Sequence, residues 1–223
     1  MIIVHHLNNS RSQRVLWLLE ELGVPYEVKR YQRDPVTMLA PPALRAVHPL
    51  GKSPVITDDD ITVAESGAIM EYLVEKFGAE QLAPAPGSAQ RRQYTYWMHY
   101  AEGSLMPPLL LKLIFARIGT AKMPFFARPI AKAISARAMS TFIMPQINNN
   151  LNFLEAQLGK STWFAGDAFS AADIQMSFPI EAAAARGGLN ASRPLLMAYL
   201  ERIHARPAYQ RAVQNGGPYE LMK

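Results

Sequence analysis

Apolar residues recur along the first eighty positions with two alternating periods. Ile2-Ile3-Val4 is a short β-branched run of the kind that forms a buried strand. After the polar segment Asn8-Asn9-Ser10-Arg11, Val15, Leu18, Leu19 and Leu22 fall at i, i+3, i+4 and i+7, one face of a helix that Gly23 closes. Residues 24–31 read as a second strand, with Tyr26 and Val28 on one face. Pro41-Pro42-Ala43-Leu44-Arg45 predicts a short helix. Pro54-Val55-Ile56 and Ile61-Thr62-Val63 flank Asp58-Asp59-Asp60, a hairpin with an acidic turn. In residues 66–77, Ile69, Tyr72, Leu73 and Phe77 return to helical spacing before Gly78. The predicted order is β-α-β-α-β-β-α, an α/β unit whose sheet mixes parallel and antiparallel pairs.

Residues 79–87 shift to Ala, Pro and Gly, which predicts a linker between a first domain, residues 1–80, and a second, residues 88–223. The second domain is patterned as all-helical, with helices over 89–111, about 122–158, 171–186, 194–205 and 208–214. Phe169-Ser170-Ala171-Ala172-Asp173-Ile174 is a capping-box pattern with Asp in the usual Glu/Gln position and a hydrophobic staple around it.

Composition removes several classes of function. The 223 residues include no cysteine, which excludes disulfides, thiolate metal sites and sulfur chemistry run by the protein's own thiol. If sulfur reacts here, a bound molecule brings it. No uncharged stretch is apolar enough to span a bilayer, since the longest, residues 138–154, contains Gln146, Asn148, Asn149, Asn150 and Asn152. The start Met1-Ile-Ile-Val4 lacks the basic and small-residue features of a secretory signal, so a cytoplasmic location is expected. Residues 1–80 carry 8 basic against 11 acidic side chains, and residues 81–223 carry 15 against 7, so net charge moves from −3 to +8 between the two segments. That basic density is too thin for a nucleic-acid stripe, and no nucleic-acid partner is expected. The segment from Gly103 to Leu154 has no acidic residue and carries Lys112, Arg117, Lys122, Arg128, Lys132 and Arg137. A solvated helix face is the plain reading of this stretch, and a surface that attracts anions is the sharper one. Membrane association is not expected.

Candidate chemistry gathers at three places. Asn8–Arg14 joins a strand to a helix start, where N–H groups and the positive helix end favour an anion; Ser10 or Ser12 acting as a plain helix cap is the competing reading. In His48-Pro49-Leu50-Gly51-Lys52-Ser53-Pro54, a proline entering a strand marks either an ordinary turn or a cis bond that leaves the Ser53 backbone open to an extended ligand. Glu65-Ser66 at the next helix start suits an ammonium and a carboxylate side by side, or again simple capping.

These elements, in this order and with the Ser170–Asp173 box, resemble the cytosolic glutathione transferase family, most closely its bacterial and fungal members. The likeness runs over essentially the whole chain. It implies a thioredoxin-like N-terminal domain, an all-α C-terminal domain, a homodimer, and glutathione as co-substrate, without a metal. By resemblance, Ser66 and Glu65 hold the γ-glutamyl head, the Ser53 backbone before Pro54 pairs with the cysteinyl part, and Lys52 reaches a carboxylate. Ser10 falls where serine-using members place the hydroxyl that faces the thiol, with Asn9 and Ser12 as neighbouring alternatives. The implied activity is attack of the activated thiol on a small electrophile, with reduction of organic peroxides as a side activity. Tyr100 and Ser104, with Tyr96, Trp97 and Met106, are candidates for the electrophile's site, against the competing reading of an aromatic stripe as core. A non-catalytic interaction module on the same fold is the alternative function, and the intact serine, lysine and Glu65-Ser66 set argues against it. A free thiol titrates near about 8.5; lowering that by about one to two units takes about 1.4–2.7 kcal/mol, the scale of one charge-assisted hydrogen bond.

Overall fold

A computed structural model describes residues 1–219. Four strands form one sheet in the order β2-β1-β3-β4: β1 (Ile2–Leu7), β2 (Tyr26–Tyr31), β3 (Val55–Asp58) and β4 (Ile61–Ala64). β1 and β2 run parallel because α1 (Ser12–Leu22) crosses between them, while β3 pairs antiparallel with both β1 and β4. Gly23 ends α1 at φ 65°, a left-handed closure that favours glycine. α2 (Pro42–Arg45) is one turn, and α3 (Ser66–Phe77) packs with α1 over the sheet through Leu16, Leu19, Ile69, Met70 and Leu73, all fully buried. The mixed α/β unit is as the sequence pattern implies.

The expected linker is partly helical, since its first four residues form α4 (Ala79–Leu82). The rest of the chain is α5 (Ala89–Tyr100), α6 (Met106–Thr120), α7 (Arg128–Ala138), α8 (Met144–Leu158), α9 (Ala171–Ala182), α10 (Pro194–His204) and α11 (Pro207–Gly216). α5 runs into α6 through a π-helical turn, Ala101–Leu105, and α7 into α8 through another, Met139–Ile143. Both of these π turns lie just before prolines, Pro107-Pro108 and Pro145, while a third, Ala183–Gly187, ends α9. A proline lacks the N–H and crowds the carbonyl four residues back, and widening the preceding turn accommodates both defects. The first helix pair therefore reaches Thr120 rather than residue 111, and the second begins at Arg128 rather than near 122.

Every residue of α9 is buried, so this helix is the axis of the helical half. Its capping box forms as its sequence predicts, and Asp173 accepts from Ser170 N–H and Phe164 N–H, both at 2.9 Å. The two halves meet along α1. Trp17 packs edge-on against Tyr209, and Glu21 accepts two bonds from Arg206 at 2.6 and 2.9 Å.

Candidate active site

Because side chains alternate along a strand, His5 and His6 leave β1 on opposite faces, and both are buried. His5 is held between strands: its Nδ1 lies 2.9 Å from the Tyr31 hydroxyl and its Nε2 3.3 Å from Thr57 Oγ1. His6 Nδ1 lies 2.8 Å from Ser12 Oγ. Burial, aided by the Arg30 cation, pushes the His6 imidazole down to about 4, so it is neutral at physiological pH.

Past Leu7 the chain turns through Asn8 and Asn9 into α1. Asn9 takes φ 50°, in the left-handed region that asparagine tolerates better than most residues. Asn8 Oδ1 accepts from Arg33 N–H at 3.1 Å, which ties the turn to the segment after β2. Arg11 occupies the helix N-cap position with no side-chain cap, so neither Ser10 nor Ser12 is the expected capping residue. Instead Ser10 Oγ accepts from Ser12 N–H at 3.3 Å, touches Ser12 Oγ at 2.7 Å, and donates to Ser53 Oγ at 3.3 Å. Ser53 Oγ in turn donates to the His5 carbonyl at 3.0 Å and accepts from Leu7 N–H at 3.3 Å. Ser10 and Ser12 thus form one hydroxyl cluster with the sequence-distant Ser53 where β1 meets α1. The Ser53–Pro54 bond beside it is cis, and Lys52 is exposed.

The start of α3 is built against α1. Glu65 is exposed and held at φ 73°, and Ser66 opens the helix with its side chain buried. Ser66 Oγ accepts from the Arg14 guanidinium at 2.8 Å, and a hydroxyl that accepts in this way keeps its own proton to donate. Arg14 is fully buried and also donates to Glu102 Oε1 at 2.6 Å and to the Gln175 carbonyl at 2.8 Å. The last bond has a local cause. Pro179 sits inside α9, so the carbonyl four residues earlier, Gln175, has no helical N–H to accept from, and Arg14 supplies the missing donor. Burial would raise the Glu102 carboxyl, yet the Arg14 and Arg11 guanidiniums outweigh it and hold Glu102 below the ordinary carboxylate range. Both guanidiniums lie over the Phe178 ring, at 5.3 and 5.4 Å.

Tyr100 closes α5. It is buried beside Trp97, its hydroxyl donates to Asn150, and Tyr96 and Phe153 pack against it from exposed positions. Trp97 and Met106 are core residues too, whereas Ser104 is exposed on the first π turn. Sequence reading missed His6, Arg14 and Glu102 as parts of this site. Only Pro179 inside a helical pattern signalled that a donor from elsewhere would be needed.

The glutathione S-transferase N-terminal domain family matches residues 10–76, and the corresponding C-terminal domain family matches residues 121–207. The chain belongs to the glutathione S-transferase family. Within this family, it is 42% identical over 183 residues to glutathione S-transferase 3 of Schizosaccharomyces pombe, covering 82% of this chain and 74% of the relative. It is 30% identical over 216 residues to glutathione S-transferase GstB of Escherichia coli strain K12, covering 96% and 98% of the two chains. Among solved structures, a glutathione S-transferase from Actinobacillus pleuropneumoniae superposes with a TM-score of 0.80 at 30% identity, over 100% of this chain and 96% of that one. A sphingomonad glutathione S-transferase complexed with glutathione superposes with a TM-score of 0.74 at 25% identity, over 96% and 98%. The α/β unit is accordingly the thioredoxin-like domain of this transferase family, and the helical half is its C-terminal domain.

Proposed function

We propose that this chain is a glutathione transferase that binds glutathione along the α/β unit and ionises its thiol with the Ser10 hydroxyl. The observation that carries the reading is the hydroxyl cluster at the β1–α1 junction, Ser10 beside Ser53, with Ser66 held by Arg14 at the start of α3. In this reading Ser66 and the first N–H groups of α3 take the γ-glutamyl carboxylate, Glu65 takes the ammonium, the Ser53 backbone pairs with the cysteinyl amide, and Lys52 meets the glycyl carboxylate. The thiol proton leaves to solvent as Ser10 turns its own hydroxyl proton from Ser53 to the sulfur; Asn9 and Ser12 flank it. The thiolate pair then forms a bond to an electrophilic carbon as the leaving group departs with its own pair. With an organic hydroperoxide as electrophile, the sulfur takes the terminal hydroxyl as alkoxide leaves, and a second glutathione thiol displaces that oxygen as water to give the disulfide.

The same reading takes residues 1–80 as the glutathione-binding domain, 88–223 as the helical domain and 79–87 as their connector. It includes a homodimer working in the cytoplasm. Among the described residues no helix is long and apolar enough to cross a membrane. Calorimetry with reduced glutathione, followed by absorbance of the thioether formed with chlorodinitrobenzene, tests it. Binding with turnover is the expected result; binding neither compound returns the chain to the interaction-module alternative.

A further inference from the structure

One assignment of protons makes all four contacts of the serine cluster hydrogen bonds at once. Ser53 has one hydroxyl proton, and it lies on the His5 carbonyl at 3.0 Å, so Ser53 Oγ is the acceptor in its 3.3 Å contact with Ser10. That contact uses Ser10's proton, so Ser12 is the donor across the 2.7 Å between the two hydroxyls. Ser12's proton is then used as well, and its 2.8 Å contact with His6 is made by an Nδ1–H. Since burial keeps the imidazole neutral, its other nitrogen, Nε2, carries no proton.

We propose that His6 is a positioning residue for the reaction: acting through Ser12, it fixes the Ser10 hydroxyl as a donor toward the sulfur of bound glutathione. The proposal rests on the function read above. When the thiolate arrives, Ser10's proton alone turns, from Ser53 Oγ to sulfur, and the two donations behind it stay in place. Donations in series polarise one another, by roughly 10–30% per bond. Without the His6 N–H, Ser12 is free to donate elsewhere, and Ser10 can point its own proton at Ser12 instead of at the sulfur.

Two measurements test this. In the ligand-free protein, 15N NMR of the His6 ring between about pH 6 and 8 should show a protonated Nδ1 and a bare Nε2; a protonated Nε2 with a bare Nδ1 overturns the relay. The second compares His6→Leu, which removes the donor, with His6→Asn, whose amide N–H restores one. Ultraviolet titration of the glutathione complexes should place the bound thiol's pKa about half a unit higher in His6→Leu than in wild type, and near wild type in His6→Asn. Affinity for S-methylglutathione, which has no thiol to ionise, should be the same in all three. Equal thiol pKa values in His6→Leu and wild type, with normal binding, overturn the positioning role alone. Failure of the wild-type protein to bind glutathione overturns the function itself and this role with it.

Discussion

Replacing Arg14 with leucine should destabilise the protein by about 2–4 kcal/mol, and the loss should depend on a proline in another helix. The change removes donors from Ser66 Oγ, Glu102 Oε1 and the Gln175 carbonyl, which Arg14 now reaches at 2.8, 2.6 and 2.8 Å. Gln175 bears the largest part, because a buried carbonyl left without a donor costs about 1–3 kcal/mol, and Pro179 prevents α9 from supplying one. Glu102 is one-third exposed and keeps Arg11, so its share is near about 1 kcal/mol. Relief of the desolvation of a fully buried guanidinium offsets part of the sum. In Pro179→Ala, the backbone N–H of residue 179 returns to Gln175. The same Arg14→Leu change should then be milder by about 1–2 kcal/mol. Urea unfolding of wild type, the two single variants and the double variant gives this coupling directly. A coupling below about 0.5 kcal/mol would refute the idea that Arg14 repairs the proline defect.

Two further outcomes follow from the same geometry. Ser66→Ala should weaken glutathione binding about tenfold, measured by calorimetry, because it removes a charge-assisted donor at the start of α3; unchanged affinity would remove Ser66 from the site. Asp173 is pushed up to about 6 by burial, against the three donations it accepts from Phe164 and Ser170. An unfolded Asp titrates near about 3.9, so between about pH 4 and 6 the native state binds the extra proton. Stability from this group is present below the lower value and is lost as pH rises through the upper one, by about 3 kcal/mol in total. Asp173→Asn should flatten that slope in urea midpoints taken across the window, and an unchanged slope would place the titration elsewhere.

Local signals carried most of the fold. The apolar spacing of α1 and α3, the acidic hairpin turn and the Ser170–Asp173 box each depend on residues a few positions apart, and each formed as its pattern predicts. The π turns were not legible, because an i→i+5 turn leaves no apolar period of its own, and only the first two are marked by prolines after them. Helical spacing shows which residues of α5 share a face but not what that face meets; Tyr100 meets Phe153 and Asn150. Arg14 was invisible as an organiser because its partners, Ser66, Glu102 and Gln175, lie on three other elements. Ser10 was singled out by the family resemblance, while the direction of its hydrogen bond needed Ser53, Ser12 and His6 in three dimensions.

Ultraviolet titration of the glutathione complex, wild type against Ser10→Ala, tests the central claim most directly. In wild type the bound thiol should ionise about one to two units below the free value near about 8.5, and in Ser10→Ala it should move back up by at least about one unit while glutathione still binds. A saturated Ser10→Ala complex whose thiol ionises at the wild-type pH would contradict it.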